Sequence, residues 1–108
     1  MKTVLTALLA LVVSANTAFA YCGGDEQADN VARLAKAVHE TSYQEFVEEP
    51  TGKNRWNEFL NEFRDLRECV ESGEQGYSKQ SLNRALFWAK LANQKVKAVT
   101  QVHHQLNP

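Results

Sequence analysis

No acidic residue follows Glu74, the sole methionine is Met1, and cysteine occurs twice, at Cys22 and Cys69. Each scarcity excludes something. Without an internal methionine, haem held by methionine and histidine is excluded, and no Cys-x-x-Cys-His attachment sequence exists. A metal at the two cysteines would need more ligands than His39, His103 and His104 bring by their spacing. No glycine-rich stretch resembles a phosphate cradle, and no Gly-x-Ser-x-Gly surrounds Ser42, Ser72, Ser78 or Ser81. No run alternates as a strand does, and no repeat of 20 to 50 residues is present. The apolar run from Val4 to Val13 is too short to span a bilayer.

That run instead belongs to an export signal. Lys2, the apolar stretch and a polar segment closing on Ala18-Phe19-Ala20 are its three parts, so cleavage is expected after Ala20. Tyr21, directly before Cys22, is too large for lipid-anchor processing. The mature chain is then residues 21–108, one domain, with the periplasm as the expected location and full secretion as the alternative. In an oxidising compartment two cysteines read as one disulfide, Cys22 to Cys69.

Three helices account for the mature chain. The first runs from about residue 25 to 48: Asp25 is the expected N-cap, and Ala28, Val31, Ala35, Val38, Ser42 and Phe46 recur on one side. Pro50 and Gly52 end it. The second covers about 54–72, capped by Asn54 or Thr51, with Trp56, Phe59, Phe63, Leu66 and Val70 on its apolar side. Gly73 and Gly76 suit a helix end and a reversal. The third, about 78–106, is capped by Ser78. Along it Leu82, Ala85, Ala89, Ala92, Val96, Val99, His103 and Leu106 alternate in steps of three and four, marking it as the spine of a bundle.

Short connections put neighbouring helices antiparallel, so the expected fold is all-α, a small three-helix bundle running up, down, up. Cys22 at the start of the first helix then meets Cys69 at the end of the second. The bridge would enclose 46 residues, worth on the order of 4 kcal/mol in the chain-entropy model.

Charge is distributed unevenly. Residues 21–74 hold all 13 acids and six Lys or Arg, whereas residues 75–108 hold five cations and no acid. Either a basic third helix neutralises two acidic ones inside the bundle, or it offers a cationic face to an acidic partner or an anionic headgroup. The acidic remainder and the exported location speak against nucleic acid.

Chemistry has little to work with. His39 and His103 differ in height by about 16 Å in the expected topology, and the adjacent His103 and His104 point about 100° apart, so no metal site and no cofactor are expected. Carboxylates such as Glu48, Glu49, Glu58 and Glu62 read as solvated faces, and an enzyme is not expected. What remains is the third helix's breadth of apolar surface. Phe87 lies nearly opposite Leu82 and Val96, with Leu91 one turn along and Lys90, Gln94 and Lys97 around them. Either a twist of the bundle buries Phe87, or it stands on a contact surface.

The function expected is therefore that of a non-enzymatic exported binding protein: an inhibitor, immunity protein, adaptor or small chaperone. It would act on a protein partner through Phe87, Lys90, Leu91 and Lys97. A second copy docking through the third helix is one such partner, and a small anionic or apolar ligand between helices, such as a lipid, is the alternative.

Overall fold

The computed structural model describes residues 21–107, so the export leader expected over Met1–Ala20 lies outside the described residues. Four helices follow one another: α1 (Asp25–His39), α2 (Tyr43–Val47), α3 (Thr51–Glu71) and α4 (Lys79–Leu106), with no strand among the described residues. The all-α class is as expected, and the three long helices run up, down, up. Cys22, just before α1, is bonded to Cys69 near the end of α3 across 47 residues. Farther up, Arg84 pairs with Asp29 at 2.8 Å and the Lys95 ammonium donates to the His39 carbonyl at 3.1 Å, so α1 and α4 rise in parallel. The disulfide is the product of an oxidising, extracytoplasmic setting. No helix among the described residues is long and apolar enough to cross a membrane.

The first helix expected over 25–48 is two helices, because Thr41 and Ser42 divert the backbone. The Thr41 hydroxyl donates back to the Ala37 carbonyl at 2.7 Å and accepts from the Arg55 guanidinium at 2.9 Å. Ser42 then opens α2 with a capping box: its hydroxyl accepts from the Glu45 amide at 3.1 Å, and the Glu45 carboxylate accepts from the Ser42 amide at 2.9 Å. Ser42 sits at helical spacing from Val38, yet its side chain serves better as a cap than as part of a continuous helix.

The second expected helix starts earlier than residue 54. Pro50 is the N-cap of α3, and neither Thr51 nor Asn54 caps it with a side chain. Gly52 is buried inside α3 rather than ending a helix, because α2 crosses it there. At the other end the expected glycine cap is present. Gly73, at φ 85, lets its own amide donate to the Val70 carbonyl and the Glu74 amide donate to the Cys69 carbonyl, each at 3.1 Å.

Ser78 caps α4 as expected, accepting from the Ser81 amide at 3.1 Å. Asp25 does not cap α1, whose N-cap is Gly24. Its carboxylate accepts from the Ser78 amide at 2.6 Å instead, tying the starts of α1 and α4 together. Beside it the buried Gln27 side chain donates to the Tyr21 carbonyl at 2.6 Å and accepts from the Tyr77 hydroxyl, holding the lead-in segment and the α3–α4 turn on the bridge.

The spine of the bundle is α1 rather than α4. Ala28, Val31, Ala32, Leu34, Ala35 and Val38 are all buried, and α1 packs on both α4 and α3. Ala28, Ala32 and Ala35 on α1 and Ala85, Ala89 and Ala92 on α4 are small, so these two helices lie closest together. By contrast α3 and α4 scarcely approach each other directly.

Candidate functional site

The separation of α3 from α4 follows from side-chain size. On α3 the rings of Trp56, Phe59 and Phe63 form a row with centroids 5.5 Å apart at each step. Phe59 fills the core, while Trp56 and Phe63 remain half-buried and hold the facing helix away. On α4, Leu82 is half-buried and Leu86 is 57% exposed; on α3, Leu60 and Val70 are 40% and 39% exposed.

Along the seam between these side chains lie three depressions, aligned as one furrow, that share lining residues. At the lower end Leu66, Arg67 and Val70 face Leu82, a space of about 150 Å³. Phe63 and Leu86 also line that space and pass into the middle depression, about 360 Å³, where Leu60 faces Ala89, Lys90 and Asn93. Trp56 lines both the middle depression and the upper one, about 290 Å³, where Phe46, Val47 and Lys53 face Val96, Val99, Thr100 and His103. From Lys53 to Val70 the furrow follows α3 for about 26 Å at helical rise.

No lining residue is acidic. Three are cations: Arg67 at the bottom, Lys90 in the middle and Lys53 at the top. Arg67 has an exposed partner, Glu71, at 3.9 Å, a pair of the kind that contributes little. Lys53 and Lys90 take part in no ion pair among the described residues. Of the other α3 acids, Glu62 lines a depression on the α1 side with Glu26, Asn30 and Tyr21.

The four α4 residues singled out from the sequence are divided by the structure. Lys90 lines the furrow. Lys97 is exposed two turns farther along the same edge. Phe87 is 57% exposed on the outer crest, with its ring edge-on to Trp88 at 5.3 Å, and does not line the furrow. Leu91 is half-buried.

Sequence reasoning missed Leu60 and Leu86 as furrow residues. The signal was the triplet Leu86-Phe87-Trp88, whose members span about 200° of a helix and so cannot all face one core.

The histidines have separate surroundings. The His39 ring lies 5.9 Å from Trp88 with its buried Nδ1 unpaired, while the His103 Nδ1 lies 3.5 Å from the Tyr43 hydroxyl and 3.3 Å from the Asn107 amide nitrogen. Among the described residues no three His, Cys, Asp or Glu side chains gather as a metal site would require. Hydrogen bonds from the Ser42 amide and hydroxyl hold the Glu45 carboxyl below its usual range, with Arg55 adding to the effect. That perturbation belongs to a helix cap and to no cleft.

No family model matches this chain, and no curated protein or solved structure is detectably similar to it.

Proposed function

We propose that this chain is a non-enzymatic, exported binding protein, an inhibitor, immunity protein, adaptor or small chaperone, that engages a protein partner through the α3–α4 furrow. The observation that carries the reading is the furrow's composition: a row of exposed and half-buried apolar side chains bordered by Lys53, Arg67 and Lys90, with no carboxylate in its lining. Contiguous apolar surface of this kind with a polar rim is characteristic of contact sites, and the like-signed rim favours an acidic partner. The disulfide favours work outside the cytoplasm, and the leader read from the sequence favours the periplasm over full secretion.

A photo-crosslinking residue at position 86, at the exposed lip of the furrow, tests this in cells. A discrete protein adduct is expected from position 86 and none from an exposed control position on α1 such as Arg33. Equal labelling from both positions would overturn the reading.

The upper end of the furrow favours a second reading. Its space of about 290 Å³, walled by Phe46, Val47, Trp56, Val96 and Val99 with Lys53 at its edge, suits a small anionic amphiphile such as a lipid. Native mass spectrometry of the purified protein would then carry a stoichiometric small molecule.

A further inference from the structure

The furrow has the shape and the pattern of a missing helix position. In the bundle, α1 touches both α3 and α4, but α3 and α4 scarcely approach each other, and three depressions follow the seam between them. Both walls are helices, so their lining residues recur at steps of three and four. On α3 these include Trp56, Leu60, Phe63, Arg67 and Val70; on α4 they include Leu82, Leu86, Ala89 and Asn93. Rows with that spacing are ridges and grooves that another helix can interlock with. The channel's length of about 26 Å equals some 17 residues of α-helix.

An acyl chain asks for something different, an enclosed slot that buries most of its surface. Leu60, Val70 and Leu86 on the two lips instead leave the channel open to the side. Charge then selects among helices. Arg67, Lys90 and Lys53 stand at the bottom, middle and top of the channel; Arg67 pairs with Glu71, and nothing acidic among the lining residues balances Lys53 or Lys90.

We propose that the furrow receives an amphipathic α-helix of a partner protein, of about five turns, whose apolar face is flanked by Asp and Glu side chains, so that a four-helix bundle is completed across the two chains. This rests on the reading of the furrow as a protein-contact surface and specifies what occupies it. The apolar face would lie over Phe63, Leu60 and Leu86, and the acidic flanks would meet Lys53, Lys90 and Arg67. This is helix-in-groove recognition, with the charges setting rate and register.

Trp56 lines the channel while Trp88 lies outside it against His39, so a Trp88→Phe variant of the oxidised protein reports on the furrow by fluorescence. The probes are two 18-residue designed peptides with the same Leu/Ala face, one flanked by Glu and one by Lys. The Glu peptide is expected to shift Trp56 emission, saturate at one per chain and bind at least about tenfold tighter than the Lys peptide at low salt, the preference shrinking as salt is added. Lys53→Glu with Lys90→Glu is expected to reverse the preference; both side chains are exposed, so the fold has no need of them.

Equal binding of the two peptides, or binding that ignores the charge reversal, would overturn the proposal. So would a Trp56 shift given by phosphatidylglycerol vesicles and not by the Glu peptide, which would identify a lipid occupant. If the Glu peptide fails while position 86 still crosslinks to a protein in cells, the helical occupant is wrong and the protein-contact reading stands. If both fail, both are wrong.

Discussion

Phe46 lies across Gly52 with no room between them for a side chain: a β-carbon built on Gly52 would stand 2.5 Å from the ring Cδ1 and 2.6 Å from the Phe46 Cα. The crossing of α2 over the start of α3 depends on that contact. By propensity alone, Gly52→Ala inside a helix would stabilise by about 1 kcal/mol. Here the obstruction includes backbone, which cannot rotate away, so the overpacking cost of roughly 1 to 3 kcal/mol is expected to prevail. A urea midpoint that falls on this substitution, with the slope of the transition unchanged, is the expected result; a midpoint that rises would show that α2 does not rest on Gly52.

The disulfide is expected to carry a large share of the stability of so small a domain. Cys69→Ser should cost roughly 2 to 5 kcal/mol, and reduction of the wild-type protein should give a similar loss. The two cysteines are not equivalent, since Cys69 is fully buried and Cys22 is exposed. A serine at position 69 must hide its hydroxyl, whereas one at position 22 meets water, so Cys22→Ser is expected to be the milder of the two. Urea titrations of both variants and of the reduced wild type make the comparison.

Much of this architecture was legible in the sequence because it is local. The step of three and four along α4, the Ser78 cap and the Gly73 reversal are patterns of neighbouring residues, and the meeting of Cys22 with Cys69 follows from helix direction alone. The break at Thr41 and Ser42 was also written locally, as Ser-x-x-Glu, but was masked because Ser42 falls at helical spacing on an apolar side.

Gly52 was not legible in that way. Its burial is a consequence of Phe46 arriving from another helix, and a glycine after proline otherwise reads as a stop. The furrow was hidden for a related reason. Trp56, Phe59 and Phe63 recur on one apolar side of α3, but the small residues of α4 pack chiefly on α1, with Ala89 also lining the furrow, and α3 and α4 stay apart.

Acid is expected to release α2 before the rest. The Ser42 amide, followed by the Ser42 hydroxyl and then Arg55, lowers the Glu45 pKa in the folded state. A depressed carboxylate contributes stability that is fully present above its unfolded value and is lost as pH falls through the lower, folded one. Stability should therefore decline on the acid side of the ordinary glutamate range, and Glu45→Gln should flatten that part of the profile. Ser42→Ala, which removes the hydroxyl from the cap, should cost about 1 kcal/mol at neutral pH. Urea midpoints of wild type and both variants from neutral to acid pH test the sign; a Glu45→Gln profile that parallels wild type would place the acid sensitivity in other carboxylates.

Phe87 and Leu86 separate the crest of α4 from its furrow side. Each is 57% exposed, so neither is expected to matter much for folding: Phe87→Ala and Leu86→Ala should each stay within about 1 kcal/mol of wild type. Phe59, 2% exposed, is the control, and Phe59→Ala should cost roughly 3 to 5 kcal/mol. Binding should discriminate where stability does not. Leu86 lines the furrow beside Phe63, whereas Phe87 stands on the crest, where it can touch only the edge of an occupant. Affinity for an acid-flanked helix, read from Trp56 emission in the Trp88→Phe background, is therefore expected to fall more with Leu86→Ala than with Phe87→Ala. If Phe87→Ala weakens binding more, the contact surface is the outer crest with Leu91 and Lys97, and the furrow is only a seam between two helices that a third holds apart.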